Sequence, residues 1–385
     1  MYRRDAETLI KRYASLYPCV GITGPRQSGK STIAQALFPH LPYVLLENIG
    51  VRTLAQADPQ KFLEKYKDGA IFDEIQHVPE LLSYMQGEVD ANQATGRFII
   101  TGSQNFTLSE AISQSLAGRI GMVTLLPLSL HELHVDATPD ERILQGGYPR
   151  MHVQSMQPHD FFPPYIQTYV ERDVRQIKNI ANLATFERFI ALCAGRIGQV
   201  VNFSSLAQDC GISNVTAQQW LNVLQASYIV FLLAPYHNNF NKRLIKMPKL
   251  YFYDTGLASS LLGIENAVQL DRHFARGHLF ENLIVLELLK ARLNAGRRPH
   301  LFFWRDRTGH EVDVIAEWGG ALKAIEIKSS STFSPEFIKG VGYFKAIAGD
   351  NTEQYVIYAG REEYSLRDIK IIPFNHVHGL ADQKS

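Results

Sequence analysis

The feature that most constrains the fold is a glycine-rich loop between two apolar segments. The run from Cys19 to Thr23 predicts a buried strand, and a helical pattern begins at Thr32. The loop between them matches GxxxxGK followed by Ser or Thr in full: Gly24, Pro25, Arg26, Gln27, Ser28, Gly29, Lys30, Ser31 and Thr32. Such a loop wraps phosphates with backbone N–H groups at a helix N-terminus. We expect Lys30 to reach the β- and γ-phosphates of a nucleotide and the Ser31 hydroxyl to ligate Mg²⁺.

Two carboxylates follow the next strong strand pattern. The apolar run before Asp73 and Glu74 predicts a strand that ends in an acidic pair, as in a Walker B site. Asp73 would hold Mg²⁺ through water, and Glu74 would polarise the water that attacks the γ-phosphate. The alternative is a solvated acidic turn at the end of a strand.

Three further residues are candidates for the same chemistry. A strand pattern over residues 97–101 leads to Ser103 and Gln104, either of which can hydrogen-bond the γ-phosphate or the attacking water at the strand end. Arg119 ends a helical pattern just before the next strand and is a candidate arginine finger for a neighbouring subunit. The alternatives are a plain turn at Ser103 and, for Arg119, a cation at a helix C-terminus.

The order of these motifs resembles the core of AAA+ ATPases. It is similar in particular to bacterial and archaeal AAA ATPases with a fused C-terminal domain of unknown function. The resemblance implies an α/β P-loop core, ATP rather than GTP as ligand, Mg²⁺, and a homo-oligomer such as a hexameric ring. We predict a nucleotide-binding core over residues 1–135, a helical lid over 136–180, a winged-helix-like module over 181–248 and a last domain over 249–385.

The middle of the chain has the pattern of a DNA-binding helix-turn-helix. Helical patterns over 203–210 and 214–225 flank a short turn, with Gln218 and Gln219 on the outer side of the second helix. Strand patterns over 228–233 and 249–253 resemble a wing. No Asp or Glu occurs between Gly211 and Tyr253, and this stretch carries the candidate phosphate contacts Lys242, Arg243, Lys246 and Lys249. The alternative is a module that serves packing alone.

The last third carries a second set of chemical residues. Period-2 alternation places Glu326 and Lys328 on one face of a strand, and Asp313 lies in the preceding strand pattern. With Glu281 on the preceding helix, these side chains can hold Mg²⁺ or Mn²⁺ and a water. In element order and spacing the set resembles the PD-(D/E)xK nuclease superfamily, except that Val312 stands where Pro often precedes the Asp. The alternative is an ion pair on an exposed sheet.

Composition narrows the classes of function. Lys plus Arg number 39 against 38 Asp plus Glu, which excludes a histone-like polycation. Three cysteines without CxxC spacing disfavour a disulfide scaffold, and the longest apolar run, over 228–234, is shorter than a membrane span.

Together with this composition, the motifs and the resemblance predict a cytoplasmic ATPase that acts on DNA as a remodelling or translocating motor. The alternatives are a nucleotide-gated, metal-dependent endonuclease and a nucleotide switch that binds a protein partner.

Overall fold

A computed structural model describes residues 2–92, 94–103, 115–134, 136–170, 183–237 and 246–381. Gln104, Lys242 and Arg243 lie outside these ranges. The chain forms two compact units. Unit 1 comprises residues 1–128, 226–228 and 293–297, and unit 2 comprises residues 129–225, 229–292 and 298–385.

Unit 1 is built on a parallel sheet with the strand order β2-β3-β4-β1-β5. Its strands are β1 Cys19–Thr23, β2 Tyr43–Leu45, β3 Ala70–Asp73, β4 Phe98–Gly102 and β5 Ile120–Thr124. Cys19 pairs with Phe98 on one side and Ile120 on the other, so the carboxyl ends of β1, β4 and β5 are level. Since all pairings are parallel, the segments that follow β1, β3 and β4 meet at one edge of the sheet.

The sheet of unit 1 is covered on both faces. Its helices are α1 Glu7–Leu16, α2 Lys30–Leu37, α3 Ile49–Ala57, α4 Pro59–Glu64 and α5 Leu81–Ala91. Val20 and Ile99 pack on the side of α1 and α2, whereas Cys19 and Phe98 pack on the side of α4 and α5. This alternation explains why the strands read as continuous apolar runs, as is typical of parallel sheets. The predicted parallel-sheet core of a P-loop protein is thus confirmed.

Two later segments of the chain complete unit 1. The Tyr228 hydroxyl donates a hydrogen bond to Thr23 Oγ1 at 3.1 Å, directly before the glycine-rich loop. Gly296 has a φ of +71°, and a Cβ at this position would stand 2.5 Å from a methyl carbon of Leu9. The backbone therefore approaches α1 more closely than a larger residue would permit.

Unit 2 contains a mixed sheet with the strand order β12-β13-β11-β10-β9-β8. Its strands are β8 Leu301–Arg305, β9 Glu311–Trp318, β10 Ala321–Lys328, β11 Thr352–Tyr358, β12 Tyr364–Leu366 and β13 Ile369–Pro373. β8, β9 and β10 form an antiparallel meander, and β10 pairs in parallel with β11. Trp304, Ile315 and Val356 belong to the apolar core of this sheet.

A smaller antiparallel pair in unit 2 consists of β6 Val230–Leu233 and β7 Lys249–Phe252. The helices that lie wholly or mainly in this unit are α6 Leu130–Leu133, α7 Pro139–Gln145, α8 Pro149–Val153, α9 Pro158–Tyr165, α10 Leu183–Ala194, α11 Phe203–Cys210, α12 Asn214–Ala226, α13 Thr255–Leu261, α14 Ala267–Arg272, α15 Arg276–Asn294, α16 Lys339–Ala348 and α17 His378–Ala381. No helix within the described ranges has both the length and the apolar character that a membrane span needs.

Candidate functional site

The glycine-rich loop lies between β1 and α2, where the motif requires it. Gly24 has a φ of +147°, and a Cβ there would stand 2.1 Å from the Leu125 carbonyl oxygen, so only glycine fits. Gln27 and Gly29 have φ values of 61° and 93°, which bend the chain into the first turn of α2. The loop is therefore a concave backbone surface at a helix N-terminus, a geometry suited to phosphate.

Lys30 and Ser31 are held at the base of this loop. The buried Lys30 ammonium donates to the carbonyl oxygens of Gly24 at 3.0 Å and Pro25 at 2.8 Å. The Ser31 hydroxyl lies 2.9 and 2.8 Å from the two carboxylate oxygens of Asp73, a residue 42 positions away. The structure thus brings together the two residues that the sequence predicts to hold Mg²⁺.

Unpaired polar atoms in the loop provide a test of the fit to a nucleotide. Ser28 Oγ and Gln27 Oε1 are buried and have no hydrogen-bond partner. Buried polar groups are normally paired, so a partner supplied by a ligand is the expected explanation. A triphosphate with Mg²⁺ fits the donors and carboxylate present here: Lys30 and the loop for phosphate oxygens, and Ser31 with Asp73 for the metal.

Sequence reasoning missed two hydroxyl groups that contact Asp73. Thr101 at the end of β4 and Tyr43 at the start of β2 both donate hydrogen bonds to its carboxylate. Burial raises the pKa of Tyr43 above its usual range, and the hydrogen bond to Asp73 adds to this. No motif identifies either residue. The only indication in the sequence is that both lie in strands of the sheet that also carries Asp73.

Glu74 turns away from the strand that precedes it, with a φ of 57°. Ser103 Oγ donates to Glu74 Oε2 at 3.2 Å, and Gln76 donates to the same oxygen. The strand order explains this contact, because β4 lies between β1 and β3. Ser103 and Glu74 therefore meet at the edge of the sheet where the glycine-rich loop begins.

Arg4 is a third group that the sequence does not reveal. Its guanidinium donates to the Ser28 carbonyl at 2.8 Å and to the Leu126 carbonyl at 2.6 Å, and the side chain is buried. Arg4 thereby connects the glycine-rich loop to the segment after β5. No motif marks this residue, since it stands in a mixed polar segment near the N-terminus.

Arg119 lies at the other edge of the sheet. It directly precedes β5, and its carbonyl accepts from the Cys19 N–H at the start of β1, whereas the loop follows the end of β1. Its guanidinium forms a two-point ion pair with Asp90 of α5, at 2.6 and 2.9 Å, on the exposed surface. Arg119 therefore does not contact the nucleotide loop of its own chain, and its role as a finger for a neighbouring copy stays a prediction.

The helix-turn-helix pattern corresponds to α11 and α12. Ser213 Oγ accepts from the Thr216 N–H at 3.0 Å and so caps the second helix. Gln218 and Gln219 are exposed, as expected for outward-facing positions. Val215, although apolar, is 62% exposed and does not belong to the core face of α12. It lies in the first turn of α12, before the buried face that begins at Ala217.

A pocket of about 700 Å³ in unit 2 brings the second set of residues together. Glu281 of α15, Asp313 of β9, and Glu326 and Lys328 of β10 all line it. Lys328 Nζ donates to Glu326 Oε1 at 2.5 Å, and Asp313 accepts from the Ile327 N–H at 2.8 Å. We name the carboxylates of Glu281, Glu311, Asp313 and Glu326 the acidic cleft.

Lys249 corrects one expectation. The sequence places it among the phosphate contacts, but its side chain is only 4% exposed and lies in the acidic cleft. Its Nζ is 2.9 Å from Glu281 Oε1, 2.6 Å from Glu311 Oε1 and 4.0 Å from Asp313 Oδ1. The error arose because the acid-free stretch has no acidic partner nearby in sequence, whereas β7 packs against acids more than 30 residues away. Lys246 is exposed, and its role as a phosphate contact stays a prediction.

Burial and charge set the titration of the acidic cleft. Burial raises the pKa of Asp313 well above its usual range, and the carboxylates of Glu326 and Glu281 add to this. Burial also raises the pKa of Glu326, against the opposing effect of Lys328. At Glu281 the effect of burial is outweighed by the ammonium of Lys249 and by hydrogen bonds from His278 and Tyr251, so its pKa is lowered.

The acidic cleft does not fit a divalent metal as it stands. Its oxygens are the ligands that Mg²⁺ or Mn²⁺ prefers, and Glu326 Oε2 is buried without a hydrogen-bond partner. The ammonium of Lys249, however, already lies 2.9 Å from Glu281 of α15 and 2.6 Å from Glu311 of β9, so it occupies carboxylate oxygens that a metal would need.

Comparisons with known proteins divide the chain into three parts. Residues 17–134 match the family model of an AAA domain. Residues 137–268 and 276–377 match two domains of unknown function, DUF8612 and DUF4143. The uncharacterized proteins Mb2031c of Mycobacterium bovis and Rv2008c of Mycobacterium tuberculosis are 33% identical over 336 residues, 86% of this chain and 74% of each relative. The Walker-type ATPase PABY2304 of Pyrococcus abyssi aligns with 68% of this chain and 96% of its own, at 15% identity and a TM-score of 0.45.

Proposed function

The chain belongs to the family of these two mycobacterial proteins and contains an AAA domain. We therefore propose that it binds ATP with Mg²⁺ and hydrolyses the bond between the β- and γ-phosphates. The AAA match confirms the prediction of an AAA-type P-loop ATPase core. The observation that carries the proposal is the contact between the Ser31 hydroxyl and both Asp73 oxygens at the base of the glycine-rich loop.

Each residue of the site has a distinct task in this proposal. Lys30 neutralises charge on the β- and γ-phosphates, and the loop orients them through its backbone. Ser31 and Asp73 hold Mg²⁺, which when bound neutralises charge that develops on the phosphate oxygens. Glu74 accepts a proton from the attacking water, and Ser103, 3.2 Å from Glu74, orients that carboxylate.

We also propose that the ATPase acts on DNA as a remodelling or translocating motor, within a homo-oligomer such as a ring. The outer face of α12 supports this, since Gln218 and Gln219 are exposed amides of the kind that pair with base edges. Exposed Lys246 adds a phosphate contact near β7. Arg119 would complete the nucleotide site of a neighbouring copy.

The test is the steady-state ATPase rate with and without linear, single-stranded and four-way-junction DNA. Lys30→Ala should abolish turnover under all conditions. The double variant Gln218→Ala/Gln219→Ala should lose stimulation by DNA while its basal turnover is kept, and Gln208→Ala, an exposed glutamine on α11, serves as the matched control. Equal turnover with and without every DNA would refute the motor. The exposed Val215 would then favour a nucleotide switch that binds a protein partner through α12.

A second candidate function is metal-dependent DNA cleavage by unit 2, which requires Lys249 to withdraw from the acidic cleft so that a metal can bind there. The observation that favours it is the convergence of Glu281, Asp313, Glu326 and Lys328 in one pocket. Plasmid should be incubated with Mg²⁺ or Mn²⁺ and wild-type protein, Asp313→Ala or Lys328→Ala. Nicking by the wild type alone would support cleavage at this site, and equal nicking by the variants would refute it.

A further inference from the structure

The acidic cleft already contains a cation that belongs to the chain. We propose that the Lys249 ammonium is the resident cation of the acidic cleft, in place of a divalent metal, and that the cleft binds such a metal only when Lys249 is absent or withdrawn. This differs from a metal site with a free lysine beside it, because the same carboxylate oxygens serve either the ammonium or the metal.

The contacts of Lys249 support this assignment. Its Nζ lies between Glu281 of α15 and Glu311 of β9, at 2.9 and 2.6 Å, and 5.5 Å above the ring of Phe303 in β8. Oxygen ligands of Mg²⁺ stand about 2.0–2.1 Å from the ion, so a metal on the same oxygens would overlap or closely approach the ammonium. The two cations would also repel each other in a buried site.

The backbone that carries Lys249 is held in place from two sides. Segment 198–201 pairs with it, through the Gly198 N–H to the Leu250 carbonyl at 2.8 Å and the Leu250 N–H to the Gln199 carbonyl at 3.0 Å. Further along the same edge, the Asn282 side chain bonds the N–H and the carbonyl of Phe252, at 2.6 and 2.9 Å, and β6 pairs with the opposite edge. Lys249 is therefore fixed at the start of an anchored strand, and leaving the cleft requires a change in the side chain or in that strand.

Removal of Lys249 would leave the buried Glu281 carboxylate without its ammonium partner, while Lys328 still pairs with Glu326 and Arg305 with Glu311. Uncompensated buried charges are strongly unfavourable, so the acidic cleft must take up protons or another cation. Four carboxylates from one helix and two strands are a suitable set of oxygen ligands for Mn²⁺. Lys249→Ala should therefore convert the cleft into a metal site. This outcome depends neither on ATP hydrolysis nor on DNA cleavage.

The experiment measures Mn²⁺ binding to the nucleotide-free full chain by electron paramagnetic resonance. All proteins carry Asp73→Asn, which removes the expected metal ligand of the nucleotide site. In this background the wild-type cleft and Asp313→Asn should bind Mn²⁺ equally weakly. Lys249→Ala should gain one Mn²⁺ with an affinity at least tenfold higher, and adding Asp313→Asn should remove that gain. Lys249→Arg keeps a cation and should not gain the ion, nor should Lys246→Ala, which removes an exposed lysine nearby.

Two results would overturn the inference. The first is Mn²⁺ binding by the wild-type cleft that Asp313→Asn abolishes, because the metal would then coexist with Lys249. This comparison stands even when Lys249→Ala does not fold. The second is a folded Lys249→Ala protein, verified by circular dichroism, that binds no additional Mn²⁺, because protons alone would then replace the ammonium.

Discussion

Arg4 connects the N-terminal segment to the glycine-rich loop, and its replacement by methionine should weaken ATP binding. Methionine keeps most of the apolar stem but cannot donate to the carbonyls of Ser28 and Leu126. A hydrogen bond from a charged donor contributes about 1.5–3 kcal/mol, so the loss of two should lower the free energy of unfolding by about 3 kcal/mol or more.

The effect on ATP follows from the bond to Ser28, because Ser28 belongs to the loop itself. The loss of this bond costs about 1.5 kcal/mol. If the whole cost falls on ordering the loop for ATP, the affinity for ATP falls about tenfold. Arg4→Lys can satisfy one carbonyl at a time and should lie between Arg4→Met and the wild type. Arg3 is the matched control, since it is exposed and adjacent, and Arg3→Met should bind ATP as the wild type does.

The assay is equilibrium titration with a fluorescent ATP analogue, together with thermal unfolding of the same preparations. A dissociation constant for Arg4→Met equal to that of Arg3→Met, at a lowered unfolding temperature, would refute the reasoning. Arg4 would then stabilise unit 1 without ordering the phosphate loop.

Three further predictions concern charged side chains. Glu74→Gln should retain ATP binding and lower single-turnover hydrolysis about 10²–10⁴-fold; a wild-type rate would exclude Glu74 as the base. Arg119→Ala should lower the ATPase rate of the assembled protein at least tenfold, whereas Asp90→Ala, which breaks the same exposed pair, should not; equal rates in the two variants would exclude the finger. Because the pKa of Glu281 is lowered in the folded state, its contribution to stability is fully present above its ordinary value of 4.5 and is lost as pH falls below it. Acid unfolding of Glu281→Gln should therefore be less steep below pH 4.5 than that of the wild type, and identical slopes would contradict this assignment.

The nucleotide site could be predicted from sequence because its chemistry is local. The loop needs glycine at fixed positions, and Gly24 shows why, with the Leu125 carbonyl in the space of a Cβ. The contact between Asp73 and Ser31 could be predicted because the carboxyl ends of parallel strands meet at one edge of the sheet. A different rule placed Asp313, Glu326 and Lys328 together, namely the alternation of side chains between the two faces of a strand.

The groups that sequence reasoning missed or misplaced act over long separations. Arg4 and Tyr43 contact the site through a guanidinium and a hydroxyl that occur in no motif. Lys249 was assigned to a DNA surface because its neighbours in sequence are basic, yet its partners are on α15 and β9. Composition describes what is near a residue along the chain, whereas burial depends on which elements pack against it.

Two segments from later in the chain belong to unit 1, and this affects where recombination can divide the gene. Segments 226–228 and 293–297 belong to the same compact unit as the glycine-rich loop, and Tyr228 bonds Thr23 at the loop's entrance. A gene fragment that ends near residue 134 would lack both segments and leave Leu9 without the close approach of Gly296. We therefore expect the AAA part to depend on these two later segments for its packing. A recombinant protein that joins the AAA part to an unrelated C-terminal sequence would also need equivalents of these two segments. We therefore expect the three matched parts to be inherited together as one gene.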